Sequence, residues 1–205
     1  QLAKEVGVLI LVIRPQDMEK VLDEIKHFKG VLITFAAGLP LDYYHARVPN
    51  ATVVRAMTNL SVAYGQGMTG WVTKEENSQE QVWLAQNLFS DLGHCINFEV
   101  EDESHLDVVT ALSGSGIAYL AQVFNSMKEV GTKQGLSERD AESTVLETVK
   151  GLLSLYSNTD LSLKEIVTSV ASKGGTTEAG LKTMREQGLE TALKQGLEDT
   201  ISKCK

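Results

Sequence analysis

Ser172-Lys173-Gly174-Gly175-Thr176-Thr177-Glu178 places two glycines and two threonines directly ahead of a helical pattern. A helix start exposes backbone N–H groups that have no partner inside the helix, at the positive end of its dipole. Beside two hydroxyls, such a junction suits a small carboxylate or phosphate. It equally suits a capped turn, with Gly for the bend and Thr for the N-cap. A second glycine–serine element, Leu112-Ser113-Gly114-Ser115-Gly116, precedes an apolar helical pattern. Either its N–H groups line a pocket or its glycines permit close helix–helix contact. Asp107 either caps that helix or bonds the loop. No Ser-His-Asp arrangement follows from the spacing, and no carboxylate pair stands out for acid–base work. The four histidines are scattered, without a Cys or carboxylate at ligand spacing, so no metal site is expected.

These groups need elements to position them, and the two halves of the chain carry different periods. Gly7 to Ile13 is a continuous apolar run, as in a parallel strand covered on both faces. Pro15 suits a first helical position, and Met18, Val21, Leu22, Ile25 and Phe28 form one helical stripe that Gly30 ends. Val31 to Phe35 is a second buried strand, which completes a βαβ unit. Further strands are expected at 52–57 and near 68–72, a helix from Ser78, and a short closing strand through Ile96, Phe98 and Val100. Beyond Glu101-Asp102-Glu103-Ser104 no strand alternation recurs. Ile117, Leu120, Ala121, Phe124, Met127 and Val130 mark a helix apolar on more than one face. Ser137 with Asp140 and Ser162 with Glu165 read as helix starts, and Gly188 as a break in the final helical stretch. The expected fold is α/β plus all-α. Residues 1–102 form the α/β part and 103–205 the all-helical part. Helices apolar on several faces call for a second chain, hence a helical dimer interface.

Ligands bind beyond the carboxyl ends of strands in an open parallel sheet. Three segments occupy that edge: Arg14-Pro15-Gln16, Ala36-Ala37-Gly38 and Thr58-Asn59-Leu60-Ser61. Each reads either as a plain βα turn or as one wall of a shared cleft. The 205 residues carry a formal net charge of −8, which argues against nucleic acid and anionic membranes. No uninterrupted apolar run approaches the ~20 residues of a membrane span. Two cysteines, Cys95 and Cys204, fit a reducing, cytoplasmic compartment.

Taken together, these segments resemble the pyrroline-5-carboxylate reductase family, in order and along essentially the whole chain. Val8 to Gln16 is similar to the family's apolar strand and following turn, Phe35-Ala36-Ala37-Gly38 to its Ala-Ala-Gly turn, and Arg55-Ala56-Met57-Thr58-Asn59 to its Arg-x-Met-x-Asn element. Ala111 to Tyr119 and Ser172 to Leu181 resemble its two helical-domain motifs. The resemblance implies a partial Rossmann-type dinucleotide-binding domain followed by a helical substrate-binding and dimerisation domain. It implies hydride transfer from NADPH or NADH, the former favoured, to the C=N carbon of a cyclic imino acid, giving proline. By that analogy Ile13, Arg14, Pro15, Ala36, Ala37, Gly38 and Asn59 line the cofactor edge. Val170, Ser172, Gly174, Gly175, Thr176 and Thr177 hold the substrate, and Thr177 acts catalytically at the ring nitrogen. The implied partner is a second copy through the helical domain, with a decamer as a larger assembly of such dimers.

The chain departs from the family at several points. Lys173, Ile117, Leu60 and Ser61 stand where proline or Thr-Pro is frequent. Those departures leave two alternatives open, a dimeric binding or regulatory paralogue and a reductase of another imino or hydroxy acid. A glycine-rich turn for the cofactor pyrophosphate is also not found after a first strand. A preceding segment of roughly fifty residues is expected from the two-half dinucleotide fold, and without it weak cofactor binding.

Overall fold

Val31–Thr34 (β2) is buried along its length because strands flank it on both edges and helical layers cover both faces. The computed structural model describes residues 2–74 and 78–204. It divides into two compact units, one of residues 1–117 with 197–205, the other of residues 118–196.

The first unit is built on a five-stranded sheet in sequence order: β1 (Val8–Leu11), β2, β3 (Thr52–Met57), β4 (Gly67–Thr73) and β5 (Gly93–Phe98). β1, β2 and β3 are parallel, with Val8 beside Val31 and Val31 beside Thr52. β4 runs antiparallel to β3, pairing Met57 with Gly70, so the sheet is mixed rather than parallel throughout. The reason is the link, which holds only a short 3₁₀ turn at Leu60–Tyr64 closed by Gly65 at φ 65°. That is too short for a crossover helix. β5 returns parallel to β4 after helix α3 (Gln79–Asp91), whose N-cap Ser78 accepts the Gln81 amide.

Alternating side chains sort to two cores. Leu32, Val53 and Val72 face α1 (Met18–Glu24), α2 (Leu41–His45) and α4 (His105–Val109), with Met18, Leu22, Tyr44 and Leu106 fully buried among them. Ile33, Val54 and Trp71 face α3 through Ala85 and Phe89. Among the described residues β1 lies at one end of the sheet, and Val12 just beyond it is 76% exposed. Pro15 opens a 3₁₀ turn that runs into α1, as its fixed φ favours. Gly30 does not end that helix, which stops at Glu24. Gly30 is needed for close approach: a Cβ there would clash with the Gly7 carbonyl and lie 2.6 Å from the Phe28 ring. Val100, expected on the closing strand, falls in a 3₁₀ turn beyond β5.

The second unit is helical: α5 (Gly116–Lys133, from Ala118 onward), α6 (Glu138–Ser157), α7 (Leu163–Val170), α8 (Thr176–Glu186) and the first half of α9 (Leu189–Lys203). Gly131 lets α5 approach α6, since a Cβ there would lie 3.1 Å from that of Ala141. Ser162 and Glu165 form the reciprocal box that starts α7. Gly188, at φ 79°, separates α8 from α9. The buried apolar residues are Ala141, Val145 and Ile166, whereas Leu120, Val130, Leu153 and Leu163 are each about 60% exposed. Helices this apolar and this exposed lack a covering surface within the unit. By length and composition alone, the continuous helix His105–Lys133 is long and apolar enough to cross a membrane.

Candidate functional site

In the first unit the three parallel strands end at one edge, and the expected cofactor residues follow them. Ile13 is half-buried and Arg14 exposed, its Nε bonded to Asp17 Oδ2 at 3.1 Å. Pro15 is exposed at the start of its turn. Beyond β2, Ala36 is buried and its amide reaches Thr34 Oγ1 at 3.4 Å, which draws the chain into the turn. Gly38 sits at φ +74°, where any side chain is strained, and a Cβ would lie 3.0 Å from the Cys204 carbonyl oxygen. The turn beyond β2 carries only small residues, Ala36, Ala37 and Gly38, with Ala37 half-buried and Gly38 exposed.

Asn59 follows β3 as N-cap of the 3₁₀ turn. Its Oδ1 accepts the Ser61 amide at 3.1 Å, and its Nδ2 donates to Ser113 Oγ at 2.7 Å. Thr58 and Thr69 hydroxyls meet at 2.8 Å across β3 and β4. Ser113 lies in a π-helical stretch, Thr110–Ser115, between α4 and α5. The sequence pairs none of these residues, because spacing along the chain says nothing about Asn59 meeting a residue so far downstream.

Beneath the edge lies an ion network that the sequence also hides. Arg55 on β3, 4% exposed, donates to Glu103 Oε1 at 2.8 Å and Asp107 Oδ1 at 3.4 Å. Glu103 Oε1 also accepts the Leu41 amide at 2.8 Å. Asp107 therefore neither caps a helix nor bonds the Ser113 loop as expected; a buried guanidinium is the stronger partner. Gly38, Pro40, Arg55, Ser104, Asp107 and Cys204 line a cavity of about 240 Å³ over this network. Burial pushes the Cys204 thiol above its ordinary pKa, Asp107 adds to that, and Arg55 opposes it.

In the second unit, Val170 ends α7 and Ser172 starts a tight turn, both exposed. The Gly175 amide donates to the Ser172 carbonyl at 2.9 Å, and the Gly174 amide to Glu178 Oε2 at 2.6 Å. Those two amides were expected to face a ligand, and the turn itself engages them. Gly175, not a threonine, is the N-cap, and no side chain caps the helix. The N–H groups of Thr176 and Thr177, at the first two positions of α8, have no acceptor among the described residues. Thr176 is exposed and Thr177 half-buried. Val170 to Thr177 all lie in the second unit, and the sheet-edge residues all lie in the first.

Residues 103–205 match the family described as pyrroline-5-carboxylate reductase dimerisation. Pyrroline-5-carboxylate reductase 2 of Bacillus subtilis is 30% identical over 184 residues, covering 87% of this chain and 64% of that protein. The reductase of Staphylococcus aureus is 30% identical over 190 residues, covering 90% and 69%. The chain thus spans about two thirds of the length of these relatives. Among solved structures, the Streptococcus pyogenes 1-pyrroline-5-carboxylate reductase superposes with a TM-score of 0.92 at 29% identity, over 99% of this chain and 77% of that one. The Plasmodium falciparum pyrroline carboxylate reductase, solved with NADP bound, gives 0.93 at 23% identity over 99% and 78%. The fold is that of a Rossmann-type domain with a helical dimerisation domain, and a dimerisation-family match accounts for the exposed apolar helices through oligomerisation. The chain belongs to the pyrroline-5-carboxylate reductase family.

Proposed function

We propose that this protein reduces 1-pyrroline-5-carboxylate to L-proline with a nicotinamide dinucleotide, NADPH being favoured. The observation that carries this reading is family membership across the helical half, where the open α8 entrance lies. The reaction adds a hydride to the ring carbon of C=N and a proton to the ring nitrogen, and the bound cofactor supplies the hydride. The chain's own residues bind, orient and protonate.

The Thr176 and Thr177 amides, at the positive end of α8, receive the substrate carboxylate. Lys173 beside them favours the anion, while Glu178 is held against the Gly174 amide. The Thr177 hydroxyl bonds the ring nitrogen and steadies its proton as charge changes there. Ser172 adds a hydroxyl. The sheet-edge residues Ile13, Arg14, Pro15, Ala36, Ala37, Gly38 and Asn59 support the nicotinamide half of the cofactor. Positioning of the two reactants supplies much of the rate. The catalytic assembly in this reading is a homodimer through the exposed faces of α5 and α6, which larger rings can extend. The proposed division at 102/103 coincides with the start of the family match at Glu103, whereas the compact sheet unit also takes in residues 103–117 and 197–205.

The test mixes intact protein with NADPH or NADH and pyrroline-5-carboxylate, and follows cofactor absorbance. Substrate-dependent oxidation with proline as product supports the reading. No oxidation with either cofactor overturns it, and turnover of a different cyclic imino acid alone reassigns the substrate.

A further inference from the structure

Asn59 is tethered at both ends of its amide, and the order of its bonds follows from one group that can only donate. The Ser61 backbone N–H faces the Asn59 side chain at 3.1 Å, so the atom it meets must be Oδ1. The other end is then Nδ2, and the Ser113 hydroxyl at 2.7 Å must accept from it. The Ser113 proton is thereby directed elsewhere, and the Met68 carbonyl lies 3.5 Å from its oxygen. A flipped amide would set two donors against each other at Ser61. The tether consumes one of the two Nδ2 protons, and the second has no acceptor among the described residues.

Ser113 reaches this position from an unusual stretch. The helix widens to π geometry at Thr110–Ser115, between α4 and α5. π segments are less stable than α-helix and recur where a side chain must be re-aimed at a functional site. Gly114, next in the chain, lies against the end of β3: a Cβ there would make an ordinary contact with the Thr58 carbonyl oxygen at 3.8 Å.

We infer that Ser113 is a positioning residue for cofactor binding: its hydroxyl locks the Asn59 amide so that the remaining N–H is presented as a donor to an oxygen of the nicotinamide dinucleotide at the sheet edge. This rests on the reductase reading and adds to it a residue that touches neither reactant. Without Ser113 the amide is held only through Oδ1 by the Ser61 N–H, and each binding event must fix the direction of Nδ2.

Steady-state kinetics on the intact protein test it. Ser113→Ala raises the KM for NADPH about five- to tenfold, the effect of one neutral hydrogen bond, and leaves the KM for pyrroline-5-carboxylate within about twofold. Ser113→Thr, which keeps the hydroxyl, restores the cofactor KM. In an Asn59→Ala background, Ser113→Ala has no further effect, because the two act as one unit. An unchanged cofactor KM in a folded Ser113→Ala, failure of the Thr variant to rescue, or additive effects in the double variant would each overturn the inference alone. Should Ser113→Ala fail to fold, Ser113→Thr and Asn59→Ala decide it: a Thr variant with a cofactor KM as poor as that of Asn59→Ala contradicts the role. Wild-type protein that binds no nicotinamide nucleotide overturns the reductase reading and this inference with it.

Discussion

Arg55 on β3 and Glu103 ahead of α4 are joined by a 2.8 Å bond, and the same carboxylate oxygen holds the Leu41 amide at the start of α2. One buried guanidinium thus ties the central strand to two helices. Asp107 completes the group at 3.4 Å. Removing one partner of a buried ion network leaves the other charges unpaired in a low-dielectric setting. Arg55→Met is expected to lower stability by about 3 kcal/mol, read as a shift in the urea midpoint. A change below about 0.5 kcal/mol would show that water already compensates these carboxylates.

Gly38→Ala tests the turn beyond β2. Its φ of +74° disfavours any side chain, and the new methyl meets the Cys204 carbonyl at 3.0 Å. About 1–2 kcal/mol of stability should be lost, together with cofactor affinity, since the same backbone lines the proposed cleft. A thermal melt and a nicotinamide nucleotide titration measure the two effects.

Thr177→Ala separates catalysis from folding. Thr177 is not the N-cap of α8, a place held by Gly175, and its side chain holds no bond inside the turn. Stability should change by less than about 0.5 kcal/mol. Turnover should fall about a hundredfold, as when one hydrogen bond to developing charge is removed. Thr177→Ser should recover most of that rate. Normal turnover by a folded Thr177→Ala variant would leave Thr177 without a chemical role.

Tyr44 sets an alkaline limit on stability. Burial pushes its phenol above the ordinary value of about 10, and the hydrogen bond with Thr34 at 3.0 Å opposes only part of that. The folded state holds the proton more tightly than the unfolded state. Its contribution is therefore fully present below pH ~10 and declines as pH rises through the folded pKa. Tyr44→Phe should flatten the fall in urea midpoint above that pH, and cost about 1 kcal/mol at neutral pH by removing the buried hydrogen bond with Thr34.

The exposed faces of α5 and α6 make a dimer testable by charge. Leu120 and Leu153 are each about 60% exposed on those helices. Leu120→Glu with Leu153→Glu should shift sedimentation from dimer toward monomer at micromolar protein, because a carboxylate cannot be buried unpaired in an apolar interface. Unchanged assembly would move the interface elsewhere.

Much of this fold is legible in the sequence because local periodicity reports local structure. The buried run at Val31–Thr34, the cap at Ser78, the capping box at Ser162 and Glu165 and the break at Gly188 all appear where residue types require them. What escapes is whatever depends on distant partners. The direction of β4 follows from the shortness of its link. The Arg55–Glu103–Asp107 group and the Asn59–Ser113 bond join segments far apart in the chain. The α8 entrance was visible as a candidate anion site. The engagement of the Gly174 amide is not legible there, because Glu178 folding back on it is a matter of side-chain reach rather than spacing.

The central claim is that the two open amides and the hydroxyl at the start of α8 hold a cyclic imino acid for reduction. Chiral detection of the product formed by intact protein from NADPH and pyrroline-5-carboxylate tests it most directly, with Thr177→Ala assayed alongside. The account requires L-proline from the wild type and about a hundredfold less from the variant. Proline formed equally by both would contradict it, as would no proline from a wild type that binds the cofactor.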